Sequence, residues 1–174
     1  MHRIKGFVII FFFLFLIFTL LSLLIPSKIA TVNALVINAP QQNILTQVTD
    51  FKNWKNWHPV FKNNTTAVFS NPSNAVDASI NWVSNSTTNK LQITEITPQS
   101  VRFILSRPGE KDVENIIRIL PVENSIGLQV EWRVLTRLRW YPWEKFAGIF
   151  IEKLAGPANQ EALESLKKYL EGQP

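Results

Sequence analysis

The chain has 174 residues, 46% of them apolar and only 18% charged, which excludes general disorder and leaves room for one domain plus a tail. There is no cysteine and there are two histidines, so a disulfide scaffold, thiolate metal sites and thiol nucleophiles are excluded. The net charge is +5; setting Arg3 and Lys5 aside from the 18 basic residues leaves 16 against 13 acidic ones, too diffuse an excess for a nucleic-acid surface.

Residues Gly6 to Ile25 carry no charge and are mostly Phe, Leu and Ile. At the helical rise they span about 30 Å, the thickness of a bilayer's hydrocarbon core. Thr19 and Ser22 can bond back to the helix backbone, and Pro26 is expected to stop the helix. A cleavable signal peptide has a shorter apolar run followed by a small-x-small site; here the run ends in Ile25-Pro26-Ser27-Lys28. The segment therefore reads as an uncleaved transmembrane helix over 6–25. Arg3 and Lys5 precede it and only Lys28 follows closely. By the positive-inside rule the arm 1–5 is cytoplasmic and the rest, 28–174, is periplasmic or extracellular.

After the anchor the pattern predicts one α+β unit. Ala30 to Ile37 reads as a strand. Pro40 suits a first helical turn, and Ile44, Leu45, Val48 and Phe51 recur at helical spacing, which predicts a short helix from Pro40 to about Asp50. A second short helix or turn carries Phe51-Lys52-Asn53-Trp54-Lys55-Asn56-Trp57 and stops near Pro59. These two short helices are expected to close one edge of the sheet. Alternation then predicts strands over Thr65–Ser70, Ala78–Ser84, Leu91–Ile96, Val101–Ser106, Val113–Leu120 and Ile126–Thr136, with Asn85 to Asn89 as a polar turn. Val101, Phe103 and Leu105 share one side of their strand. Val113, Ile117 and Ile119 share another, with Asn115 as a polar exception. Leu128, Val130, Trp132 and Val134 oppose Gln129, Glu131 and Arg133. Trp140 to Leu154 is mixed, and a terminal helix starts at Gly156-Pro157, with Ala162, Leu163, Leu166, Tyr169 and Leu170 as its apolar stripe. An antiparallel sheet of this length curls, and the last helix must cover its concave face.

Three stretches carry a family resemblance: Val36-Ile37-Asn38-Ala39-Pro40, Asp50-Phe51-Lys52-Asn53-Trp54-Lys55-Asn56-Trp57-His58-Pro59, and Val130-Glu131-Trp132 with the amphipathic terminal helix. Over residues 28–171 the chain resembles the helix-grip superfamily related to START domains and birch-pollen allergen, the SRPBCC or polyketide cyclase/dehydrase-like group. Members with a single N-terminal span are similar in layout. The resemblance implies a curved antiparallel sheet gripping a long C-terminal helix, with an apolar cavity between them. One departure is Glu123-Asn124-Ser125-Ile126-Gly127, which stands where a Gly-Asp-Gly-type turn is expected. The family's motifs are structural, so they imply no catalytic residue, and the sequence points to no metal and no cofactor.

The inward residues that are either cavity wall or core are Trp54, Trp57, Trp82, Phe103, Asn115, Ile117, Trp132, Val134, Leu163 and Leu166. His58, on a loop before proline, is the domain's one candidate acid or base. Asp50 reads as a helix end or cap. Arg137, Arg139, Trp140 and Trp143 are candidates for a membrane interface, where aromatic rings beside basic groups seat well; a solvated outer face is the plainer reading of the arginines. The expected function is a tethered domain that binds a lipid or other hydrophobic small molecule, for which an interior void of about 300 Å³ or more is expected. The alternatives are a cyclase or dehydratase, which needs converging titratable groups, and an envelope protein-interaction module without ligand.

Overall fold

A computed structural model describes residues 2–84, 86–123, 126–148 and 150–172. It is an α+β structure. Helix α1 (His2–Leu23) leads into strand β1 (Lys28–Ile37), followed by α2 (Gln41–Thr49), a 3-10 turn at Phe51–Asn53 and α3 (Trp54–Trp57). Six strands follow: β2 (Val68–Phe69), β3 (Ser79–Ser84), β4 (Thr87–Thr97), β5 (Ser100–Ser106), β6 (Val113–Pro121) and β7 (Leu128–Arg137). Helices α4 (Pro142–Gly148) and α5 (Ile151–Glu171) complete the chain. The seven strands form one antiparallel sheet in the order β1-β7-β6-β5-β4-β3-β2, and α5 lies on its concave face.

The alternating strands put their apolar side inward as expected. Ile80, Ile93, Val101, Phe103, Ile117, Ile119, Val130 and Trp132 are buried, and Ala162, Leu163 and Leu166 of α5 close over them. The outer face carries ion pairs: Arg102 reaches Glu114 at 2.7 Å and Glu95 at 3.1 Å. Ile116 breaks the wet pattern on that face; it is buried, flanked in register by Arg102 and Arg133, whose apolar stems suit that position.

Register defines two ends of the sheet. Lys28 pairs with Arg137, Leu105 with Val113, Leu91 with Leu105, and Trp82 with Asn89. The start of β1, the end of β7, the Arg107–Asp112 turn and the end of β3 thus share one end, the end at which α1 arrives. The first half of α5 lies there too, since Gly156 approaches Thr31 and Gln160 faces Asn33.

Several expectations need correction. The strand expected over 65–70 is only Val68–Phe69. Neighbouring side chains take over what the ladder would satisfy: the Asn64 carboxamide accepts from Thr66 N–H at 2.9 Å, the Thr66 hydroxyl accepts from Val83 N–H at 3.1 Å, and the Ser70 hydroxyl accepts from Ser79 N–H at 2.9 Å. The polar turn expected over 85–89 is shorter, since β4 already begins at Thr87; Asn85 lies outside the described residues. The last helix starts at Ile151, not at 156–157, and runs through Pro157, which forfeits one backbone bond that packing on the sheet must offset. Helix α2 does not close a sheet edge. It lies under β5 and β6, where Ile44 and Val48 are buried and Gln41 donates to the Pro98 carbonyl at 2.9 Å, so it plugs the end of the sheet opposite α1. Part of the Glu123–Gly127 segment, residues 124 and 125, lies outside the described residues.

Helix α1 ends at Leu23, two residues short of the expected limit, and its chain end tightens through Ile25 N–H to Ser22 O at 3.1 Å. It is one helix long and apolar enough to cross a membrane, and the side chains from Phe7 to Leu24 are largely exposed. Thr19 and Ser22 donate to Phe15 O and Thr19 O, as expected for hydroxyls in an apolar helix.

Candidate functional site

The run from Asp50 to Trp57 is built to finish α2. A helix leaves carbonyls of its last turn without intrahelical partners; here side chains donate to three of them, of which Thr46 O also accepts from Asp50 N–H at 3.2 Å. Asn53 donates to Thr46 O, Trp57 to Gln47 O and Trp54 to Val48 O, each at 3.2 Å. The Asp50 carboxylate accepts from Lys52 N–H at 3.0 Å and from the Ser73 hydroxyl at 2.7 Å, which makes it the expected cap. The indole bonds turn both tryptophans inward, where Trp54 meets Phe51, Phe61, Phe103 and Trp132 with ring centroids 5.1–6.0 Å apart.

His58 follows directly. Its ring stacks on Trp54 at 4.9 Å and 8°, and lies 5.0 Å from Phe61 and 5.9 Å from Trp132. Nδ1 accepts from Val60 N–H at 3.2 Å, so the neutral ring carries its proton on Nε2. Burial among these rings pushes the imidazole pKa from 6.5 down to about 3, because an imidazolium there would lose its hydration.

Asn115, the inward polar exception on β6, is paired. Its side-chain oxygen accepts from the Trp132 indole at 3.1 Å and its nitrogen donates to Val113 O at 3.1 Å. The buried amide and the buried indole satisfy one another across two adjacent strands.

Beside these groups is a partly enclosed cavity of about 200 Å³, smaller than the expected 300 Å³. Trp54, His58, Phe61, Trp82, Leu91, Phe103, Leu105, Asn115 and Trp132 form its wall, and Pro59, Val60, Arg107, Ala158, Asn159 and Glu161 its rim. It occupies the half of the sheet nearest α1, between the strand ends and the first half of α5. Of the expected residues, Trp54, Trp82, Phe103, Asn115 and Trp132 come together on this wall. Trp57, Ile117, Val134, Leu163 and Leu166 are buried in the core and do not line it. His58, on its loop before proline, is locally bonded through Val60 N–H and lines the cavity; spacing in the sequence does not single out the rim. Extending the α5 stripe one turn back from Ala162 and Leu163 reaches Ala158 and Asn159, which already lie inside the helix expected from Gly156-Pro157. Arg137, Arg139, Trp140 and Trp143 are all exposed, at the α1 end of the sheet and apart from the cavity. Arg137 and Arg139 line a shallow surface groove with Lys111 and Glu144.

A curved seven-stranded antiparallel sheet closed over one long C-terminal helix, with a small apolar cavity between them, defines a helix-grip protein. The sequence profile of the family described as polyketide cyclase / dehydrase and lipid transport matches residues 29–171, and the chain belongs to that family. No curated protein matches the chain. Among solved structures, a Staphylococcus aureus protein of unknown function superposes with a TM-score of 0.64 at 10% identity, covering 83% of this chain and 94% of its own. The di-domain ARO/CYC StfQ from the steffimycin biosynthetic pathway gives 0.63 at 8% identity, covering 84% of this chain and 52% of its own. A protein from Nitrosospira multiformis gives 0.62 at 13% identity, covering 84% of this chain and all of its own. At such identities these likenesses establish the fold alone.

Proposed function

We propose that the chain is a membrane-tethered helix-grip domain whose cavity takes a small hydrophobic molecule or the end of a lipid chain. Residues 1–5 form a cytoplasmic arm, 6–25 the span, and 28–174 the binding domain outside the cytoplasm. The supporting observation is the cavity wall, which is aromatic and aliphatic, with Asn115 paired to the Trp132 indole and His58 Nδ1 accepting from Val60 N–H. An apolar cavity of about 150 Å³ accommodates benzene, so about 200 Å³ suits one ring or a short length of acyl chain. A polycyclic product would need the rim to open.

The cyclase or dehydratase reading asks for a general base on the wall. His58 is the titratable group best placed there, and with a pKa near 3 it is a weak base at neutral pH. This favours binding over catalysis. The test uses full-length chain in micelles, read by native mass spectrometry and by a naphthalene-type fluorophore that brightens in apolar sites. Co-purified lipid or dye binding, lost when Leu105→Trp fills the wall at unchanged melting temperature, is the expected result. Bare protein with equal, weak dye response in both forms would end the proposal.

A further inference from the structure

We infer that α4 is a second membrane-seated element, sunk into the interface of the same leaflet that α1 enters and pinning the domain with its cavity-bearing end toward the lipid. The inference rests on the proposal that α1 is a span.

Three observations carry it. Phe146 of α4 stacks on Phe18 of α1 at 4.3 Å and 20°. Phe18 lies five residues inside the end of α1, about 7–8 Å along its axis. If α1 crosses the bilayer, Phe146 is carried below the surface with it, within the 5–10 Å at which interfacial helices sit.

Second, exposed aromatic rings lie on α4 and on the residues flanking it. Trp140 is 65% exposed, Trp143 62% and Phe150 57%, and Tyr141 stacks on Trp143 at 5.0 Å. Trp and Tyr favour the headgroup level, where an apolar ring and a polar edge are both satisfied. A lipid surface is the partner these rings fit, because α1 and α4 are continuous through the Phe18–Phe146 stack.

Third, α4 is bolted to the anchor. Lys145 is buried, and its ammonium donates to Ile25 O at 2.7 Å and Ser27 Oγ at 2.6 Å, fixing a charged group at the level where the helix meets the sheet. Leu138 N–H donates to Ser27 O at 2.8 Å, and Glu144 accepts from Arg139 N–H at 2.8 Å. Gly148 permits the close seat: a Cβ there would collide with Leu138 and lie 2.8 Å from Ile29 Cδ1. Arg137 and Arg139 are exposed just above this seat, where phosphate headgroups would lie.

The chain has no cysteine, so single labels are clean. Full-length Phe12→Cys, Trp143→Cys, Phe150→Cys and Gln99→Cys, each carrying a nitroxide, are reconstituted in phosphatidylcholine–phosphatidylglycerol vesicles. Collisions with oxygen, enriched in lipid, are compared with those of an aqueous nickel chelate. Gln99, on the turn at the opposite end of the sheet, is the water reference. The expected result is an oxygen-to-nickel ratio severalfold above that reference at 12, 143 and 150. If 12 reads as lipid while 143 and 150 match position 99, the inference is overturned and the span stands. If 143 and 150 are shielded from both reagents, a protein partner covers them and the inference is again overturned. If 12 itself reads as water, the span fails and takes this inference with it.

Discussion

His58 concentrates the site's electrostatics in one ring. The folded protein holds it neutral to about pH 3, whereas the unfolded chain protonates it near 6.5. The stabilisation from keeping it neutral is therefore complete above about pH 6.5 and is lost as pH falls from there toward 3, at roughly 1.4 kcal/mol per pH unit. Denaturant midpoints at pH 7 and pH 4.5 should drop less in His58→Phe than in the wild type; equal drops would show that other groups set the acid limit. Asn115 makes a second prediction at this scale. Asn115→Leu leaves the buried Trp132 N–H without its acceptor and should cost about 1–3 kcal/mol. Trp132→Phe in that background should recover part of the loss, giving a favourable coupling in a double-mutant cycle.

At the scale of elements, the tryptophans of the Asp50–Trp57 run act first as donors to a helix end. Trp57→Phe keeps most of the apolar ring but leaves Gln47 O without the indole, and should lower stability by about 1 kcal/mol. A thermal shift near zero would mean that water replaces the bond. The inward faces of β3 to β7 were legible because a period of two with Val, Ile and aromatic residues admits few other structures. The role of the indoles was not, because a cap depends on ring orientation toward carbonyls six and ten residues upstream, and spacing carries no such direction. Strand β2 was overread for a related reason: Thr66, Val68 and Phe69 look β-compatible, yet the side chains of Asn64, Thr66 and Ser70 take over bonds of the ladder. Pro157 misled in the opposite sense, since a proline normally marks a first helical turn, and here tertiary packing carries the helix across it. The cavity was half legible: its strand residues follow from alternation, whereas its rim depends on where the first turns of α5 cross the sheet and how the loop after α3 folds back.

For the whole molecule, the sheet register sends α1, α4, the Arg107–Asp112 turn and the cavity to one end, and α2 with the β4–β5 turn to the other. With the proposed topology, Gln99→Cys should react with a membrane-impermeant maleimide on intact spheroplasts, and moving the positive charges of Arg3 and Lys5 to the far side of α1 should reduce that labelling. Labelling only after lysis would place the domain in the cytoplasm.

Between Leu23 and Lys28 there are only four residues, a leash of about 14 Å even when drawn straight, and Ser27 and Ile25 within it are already held by Leu138 and Lys145. If α1 spans a bilayer as proposed, such a short mooring gives the domain no radius in which to roam. On the same proposal, a hydrophobic cargo of the cavity would not be ferried across an aqueous gap by this chain alone; a soluble recipient would have to come to the bilayer to collect it.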